Sequence, residues 1–156
     1  MFGLKDDAWS YIDAGLIHGK HKSITNTIAI WDILVRDNEW LIGTTYQARY
    51  KQIAACASGS FMIKLGKSEF DFGLRLTDNI FIPRIYTDYQ EAWDVVTAAN
   101  EAVGWKEPTM KVSYGEPVLE GIVLKNPNGI LEAGHKEKNN TTWYSRCRVR
   151  TGRHRF

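Results

Sequence analysis

A chain of 156 residues, 44% hydrophobic and 24% charged, is long enough to bury one proper core and too short for two full domains. It holds no run of 18 apolar residues, and its opening, MFGLKDDAWSYIDAG, places acids where a signal peptide carries basic and apolar regions; a cytoplasmic protein without membrane spans is expected. The net charge of +2 hides an uneven spread: the last sixteen residues, TTWYSRCRVRTGRHRF, carry five arginines and no acid, which leaves −3 on the rest and allows an anionic partner at that end without requiring one.

In chain order, residues 1–22 read as an N-terminal helix or arm, with Trp9, Ile12 and Leu16 forming a short apolar stripe before GKHK interrupts it. The run ITNTIAIWDILV is rich in β-branched residues and its latter part reads as a strand, although a helix starting at Ser23 or Thr25 fits the same residues. After the polar turn RDNEW, TTYQARYKQIAACAS predicts a helix capped by Thr44 or Thr45 and stopped at Ser58-Gly59. SFMIKL, EFDFGLRL and IFIPRIYT follow as strands joined by tight turns, with Pro83 demanding an edge or a bulge. TDYQEAWDVVTAANEAVG is a second helix: Thr87 and Gln90 suggest a capping box, apolar residues from Ala92 to Val103 recur at helical spacing, and Gly104 stops it. TMKVSY, VLEGIVLK and TTWYSRCRV read as later strands, the last with one basic face.

The spacing thus predicts one α+β domain over residues 23–150 and a basic tail over 151–156. The order strand, helix, strand, strand, helix, strand is that of a ferredoxin-like βαββαβ core: an antiparallel sheet with two helices on one face, here with an extra C-terminal strand. The uncovered face and the edges would then favour a homo-oligomer.

Most chemical motifs fail on inspection. LGKSE ends like a phosphate-binding loop, but the position five before Gly66 is Phe61, and a strand rather than a helix follows. His18 and His21 lack an acid or cysteine beside them, Cys56 and Cys147 have no metal-ligand or disulfide-framework spacing, and no nucleophile motif exists; neither metal nor cofactor is expected. NNTT matches a glycosylation acceptor in form only. The stripe Tyr144, Arg146, Arg148, Arg150 can track a phosphate backbone, although a solvated exterior strand is the commoner use of such a pattern. Trp40 and Trp105 either floor a pocket or close the core at helix ends.

One stretch stands apart. In KSEFDFGLRLT, alternation puts Phe70, Phe72, Leu74 and Leu76 on one face and Glu69, Asp71, Gly73 and Arg75 on the other. These two carboxylates either meet water and an arginine such as Arg75, or, rimmed by Tyr46, Tyr50, Tyr86 and Tyr114, hold a cationic ligand by charge and cation–π contact.

The stretch from Phe81 to Lys125, with Asp88 at a helix start, the pair Asn100-Glu101, Val112 with Tyr114, and Gly121 to Val123, resembles the matching half of the small phage-encoded S-adenosylmethionine-degrading enzymes. That resemblance implies a ferredoxin-like or signalling-protein-like fold, a homotrimer with sites between subunits, and an anti-host or anti-restriction role in the host cytoplasm. It also implies a cofactor-independent lyase that yields methylthioadenosine and homoserine lactone. On that basis Glu69 would hold the substrate ammonium, Asp71 or Glu101 the ribose hydroxyls, and Tyr46, Tyr50 or Tyr86 would stack on the adenine. The rival reading is a non-enzymatic oligomer gripping nucleic acid or an acidic partner through Arg146, Arg148, Arg150, Arg153 and Arg155, with salt-sensitive affinity.

Overall fold

The structure is a computed structural model that describes residues 3–19, 21–109, 112–114, 116–133 and 143–148. Ten strands and two helices are assigned among these residues: β1 (Tyr11–Ile17), β2 (Thr27–Arg36), β3 (Glu39–Trp40), α1 (Tyr46–Ala54), β4 (Ser60–Leu65), β5 (Ser68–Thr77), β6 (Ile80–Pro83), α2 (Tyr89–Ala102), β7 (Lys106–Thr109), β8 (Val112–Tyr114), β9 (Gly121–Lys125) and β10 (Trp143–Arg148). The tail 151–156, the NNTT site, His135, His154, Arg150, Arg153 and Arg155 lie outside the described residues.

An α+β fold is what results, with a six-stranded mixed sheet in the order β1-β2-β6-β5-β4 and β3 hydrogen-bonded to the far end of β2. Only β2 and β6 pair in parallel; the other neighbours are antiparallel, so β4 runs parallel to β2 with β5 and β6 between them. The helix-containing crossover from β2 to β4 is therefore split by two strands, where a ferredoxin-like unit has one. Three strands, not two, separate the helices, and β7, which follows α2, pairs with β8 outside the main sheet.

The first segment corrects the expected N-terminal helix. Trp9, Ile12 and Leu16 have helical spacing, yet Tyr11–Ile17 pairs along β2 as an edge strand. Its neighbour, β2, is a long β-branched strand whose backbone donors and acceptors need partners on both sides, and that requirement outweighs a weak local stripe. Gly15 makes the pairing feasible: a Cβ there would come within 2.5 Å of the Trp31 ring, which lies over it. The turn between β2 and β3 uses Asp37 and Asn38 at φ 52° and 72°, the left-handed pair of a tight hairpin, and Asp37 Oδ1 accepts the Lys5 N–H to tie the N-terminal segment down.

Helix α1 starts at Thr45, whose hydroxyl accepts the Ala48 N–H, and its first amides donate to the carbonyls of Pro127 and Gly129. Helix α2 is capped by Asp88, not Thr87: the Asp88 carboxylate accepts the Glu91 N–H at 2.8 Å, while Gln90 turns away to Asp94. At its other end Gly104, at φ 85°, lets the amides of Gly104 and Trp105 return to the carbonyls of Glu101 and Asn100, the paired closure that glycine permits.

The helices do not share a face, contrary to the expectation. In β6, Ile80 and Ile82 pack in a cluster with Tyr50, Ile53 and Ala54 of α1, whereas the alternate residue Phe81 packs with Ala99 and Ala102 of α2. Successive strand residues point to opposite faces, so α1 and α2 lie on opposite sides of the sheet. Both faces of β6 are accordingly apolar. A bulge in β5 explains how that strand serves both cores: between the pairs Met62–Asp71 and Ser60–Leu74 it carries one residue more than β4. Phe70 and Phe72 thus face α2, and Leu74 and Leu76, two and four positions on, face α1, so the single apolar face expected of these four residues is split by the bulge. Phe81 stacks on Phe61 at 4.6 Å in the α2-side core.

Candidate functional site

The bulge also arranges the acidic residues. Phe61, Ile63 and Leu65 of β4 point to the α2-side core, so the alternate Met62 and Lys64 point to the other face, opposite Asp71 and Glu69. Helix α1 packs over β2 and β6 on that face and leaves the β4–β5 end uncovered: Met62, Lys64 and Glu69 are exposed. Glu69 and Asp71 therefore lie side by side on an open shelf of sheet, about 7 Å apart along the strand.

Asp71 is held from three sides. Its Oδ1 accepts the Gly73 N–H at 3.0 Å, and its Oδ2 accepts the Ser60 hydroxyl at 3.1 Å and a short contact from Arg84 Nη2. Arg75, the partner considered from sequence, instead reaches the Ser58 carbonyl. Gly73 itself is obligatory: at φ 150°, a Cβ would sit 1.9 Å from the Ile82 carbonyl oxygen. Arg84 follows Pro83 at the end of β6, and its amide donates to the Phe72 carbonyl, which fastens it beside the bulge.

Two tyrosines border this pair. The Tyr50 hydroxyl on α1 reaches the Pro83 carbonyl at 3.5 Å, and burial raises its pKa above the ordinary value while the Arg84 guanidinium pulls the other way. Tyr86 is half-buried; burial raises its pKa, Arg84 lowers it, and the Asp71 and Glu91 carboxylates raise it, which places the phenol among these charges.

The remaining expected residues fall elsewhere. Tyr46 is buried, with its pKa pushed up by burial and then by the Asp32 carboxylate; its ring lies against Tyr50 and under the Lys125 ammonium, 5.0 Å from the centroid, so it offers no face for a purine. Glu101 is exposed on α2, across the sheet from Glu69 and Asp71. Its neighbour Asn100 is wholly buried, and its amide donates to the Leu119 carbonyl at 3.0 Å and accepts the Leu119 N–H at 2.8 Å, bracing the approach to β9. Trp105 is buried beside Val96 and closes the core, while Trp40 is exposed and packs edge-on against Trp9; neither floors a pocket. Side chains of β8 and β10, Tyr114 and Tyr144 among them, lie outside the described residues.

Sequence reasoning missed two arginines. Arg49 of α1, wholly buried, forms a two-pronged pair with Asp32 of β2 at 2.8 and 2.9 Å and donates to the Thr44 carbonyl at 2.6 Å. Arg84 is the other, and only its place directly after Pro83 hinted at special geometry; that proline ends the interior strand β6 instead of lying on the expected edge strand. A cavity of about 30 Å³, room for one water, lies under β1 between Leu4, Ile12, Ile33, Ile53 and Leu76, with Cys56 at its side; it is apolar and apart from the shelf. Among the described residues, no group of three or more His, Cys, Asp or Glu is placed to hold a metal ion, and no helix is long and apolar enough to cross a membrane.

Set against protein families, curated proteins and solved structures, the chain matches none of them.

Proposed function

We propose that the chain cleaves S-adenosylmethionine to methylthioadenosine and homoserine lactone without a cofactor. The observation that carries this reading is the open shelf on which Glu69 and Asp71 stand beside Tyr50 and Tyr86: a sulfonium nucleoside with an ammonium group is a cation with an aromatic base, and carboxylates next to phenol rings suit both parts.

The chemistry asks little of the protein beyond placement. One oxygen of the substrate carboxylate attacks the γ-carbon, the bond from that carbon to sulfur breaks, and its electron pair neutralises the sulfonium. Carboxylate and sulfonium charges vanish together, the ammonium charge leaves with the lactone, and no proton is exchanged. Holding the chain bent for ring closure is worth on the order of 7–11 kcal/mol. Glu69 is the ammonium contact in this scheme. Asp71, with both oxygens engaged, keeps the shelf in shape and adds negative potential. Tyr86, or the outer edge of Tyr50, takes the adenine.

A shelf open to solvent needs a wall to exclude water, and we propose that a second subunit of a homotrimer supplies it. The sheet is read as a relative of the ferredoxin-like arrangement with one strand more inside its crossover, and the role as that of a phage protein acting in host cytoplasm. Chromatography of S-adenosylmethionine after incubation with pure protein tests the activity: methylthioadenosine should accumulate in proportion to enzyme and time, and none at high enzyme concentration refutes it.

A second reading rests on β9 and β10, a two-stranded ribbon separate from the main sheet that carries Arg146 and Arg148 at alternate positions. It predicts binding to nucleic acid or an acidic partner that weakens steeply with salt.

A further inference from the structure

We infer that Arg84 is the subsite for the carboxylate of an α-amino-acid ligand, with Glu69 taking its ammonium. This rests on the reading that the shelf binds S-adenosylmethionine and assigns a residue to the half of the amino acid that the two acids cannot hold.

An α-amino acid presents one positive and one negative group about 3 Å apart, and two carboxylates alone would repel the second. The shelf carries both signs on one face: Glu69 is exposed, and Arg84 reaches Asp71, two residues along β5. Arginine offers five N–H donors in a planar fork that matches a carboxylate in a two-pronged way. Of these donors only one on Nη2 is engaged among the described residues, by Asp71, so Nε, Nη1 and the second Nη2 hydrogen have no partner there, and one of the two fork edges, Nε with Nη2 or Nη1 with Nη2, is left for a ligand carboxylate.

Geometry supports the same role. The Arg84 side chain is 37% exposed and its partner Asp71 33% exposed, so the guanidinium is anchored without being sealed. Asp71 is itself fixed by Ser60 and the Gly73 amide at an obligatory glycine, and the Arg84 backbone is tied to Phe72. An arginine anchored at one nitrogen by Asp71 is pre-ordered, which reduces the entropy lost on binding an anion. Lys64 stands opposite Glu69 on β4, but on a flexible chain it supplies a point charge rather than a fork. In the proposed reaction, a guanidinium holding one carboxylate oxygen would leave the other directed at the γ-carbon.

The test uses two inert probes, S-adenosylhomocysteine and its decarboxylated analogue, which differ only in the carboxylate, with affinity read by titration calorimetry. The intact protein should prefer the first by at least about tenfold, the scale of one charge-assisted contact. Arg84→Gln should erase the preference by weakening only the carboxylate-bearing probe. Asp71→Asn should retain most of it, and Arg84→Lys, which keeps the positive charge beside Asp71, should retain part. A tenfold preference that survives Arg84→Gln overturns the assignment. So does a preference lost as fully in Asp71→Asn, because Arg84 would then act only as a structural partner. If the intact protein cleaves S-adenosylmethionine yet binds both probes equally, the assignment fails while the activity stands. If it neither cleaves nor binds, the reading of the shelf falls and the assignment with it.

Discussion

Two Asp–Arg pairs on the α1 side of the molecule contrast in a way that separates support from function. Asp32 and Arg49 are 1% and 0% exposed, doubly bonded to one another, with Thr44 and the Ile33 amide taking up further bonding capacity. Asp71 and Arg84 are one-third exposed, meet through a single nitrogen, and sit where the sheet is uncovered. The same two side-chain types thus fasten a helix to a strand in one place and present an anchored charge to solvent in the other. Burial and the number of bonds, rather than residue identity, distinguish the two uses.

The largest effect should come from splitting the buried pair. Arg49→Ala leaves the Asp32 carboxylate sealed without its counter-charge, and a loss of about 3–5 kcal/mol in unfolding free energy is expected from denaturant titration. Arg84→Gln or Asp71→Asn should each cost less than about 1 kcal/mol in the same measurement, the usual scale for exposed pairs. Equal losses at the two sites would erase the contrast.

Next come changes at the supports of each region. Gly73→Ala forces a Cβ into the Ile82 carbonyl at a φ that other residues avoid, and a loss of at least about 1–3 kcal/mol is expected together with a displaced Asp71. Asn100→Ala strands the part-buried amide and carbonyl of Leu119, for about 1–3 kcal/mol, but should leave ligand affinity unchanged, because the residue lies across the sheet from the shelf. Thermal unfolding with parallel calorimetry would separate these outcomes.

A smaller effect concerns pH. Tyr46, Tyr50 and Tyr86 all have pKa values raised above the ordinary 10.0, chiefly by burial, so the unfolded chain releases these protons first. Stability present below pH 10 is therefore lost as pH climbs above it. Tyr46 is the most buried of the three, and Tyr46→Phe should flatten that alkaline slope more than Tyr86→Phe, as read from denaturation midpoints at a series of pH values.

How much of this was legible in the sequence follows from which forces are local. Strands β4, β5 and β6 were readable because Phe61, Ile63 and Leu65, then Phe70 and Phe72, alternate cleanly, and α2 because its apolar residues and terminal glycine are near one another. Strand β1 was not, because an edge strand exposed along much of its length has a blurred alternation and is decided by its neighbour's unpaired backbone. The helices lie on opposite faces of a sheet whose β6 is apolar on both sides, and β5 serves both cores through one extra residue near Phe72 and Gly73 that its plain alternation does not announce. In the candidate site, the shared face of Glu69 and Asp71 follows from a spacing of two. Arg84 lies 13 positions from Asp71 and comes to it only through the pairing of β5 with β6, and Tyr46 turned inward because its helix begins under residues 126–131. Composition near the shelf was readable; which groups meet there was not.

The central claim is that the shelf turns the substrate's own carboxylate on its γ-carbon, with Glu69 holding the ammonium. Its most direct test is incubation of S-adenosylmethionine with the intact protein and with Glu69→Gln in water enriched in oxygen-18, with products separated early and weighed by mass spectrometry. The account predicts methylthioadenosine and unlabelled homoserine lactone from the intact protein, and a rate lower by about a hundredfold from a Glu69→Gln variant that keeps its fold. Full activity in that variant, homoserine carrying the label in its hydroxyl group as the first product, or no methylthioadenosine at all would contradict it.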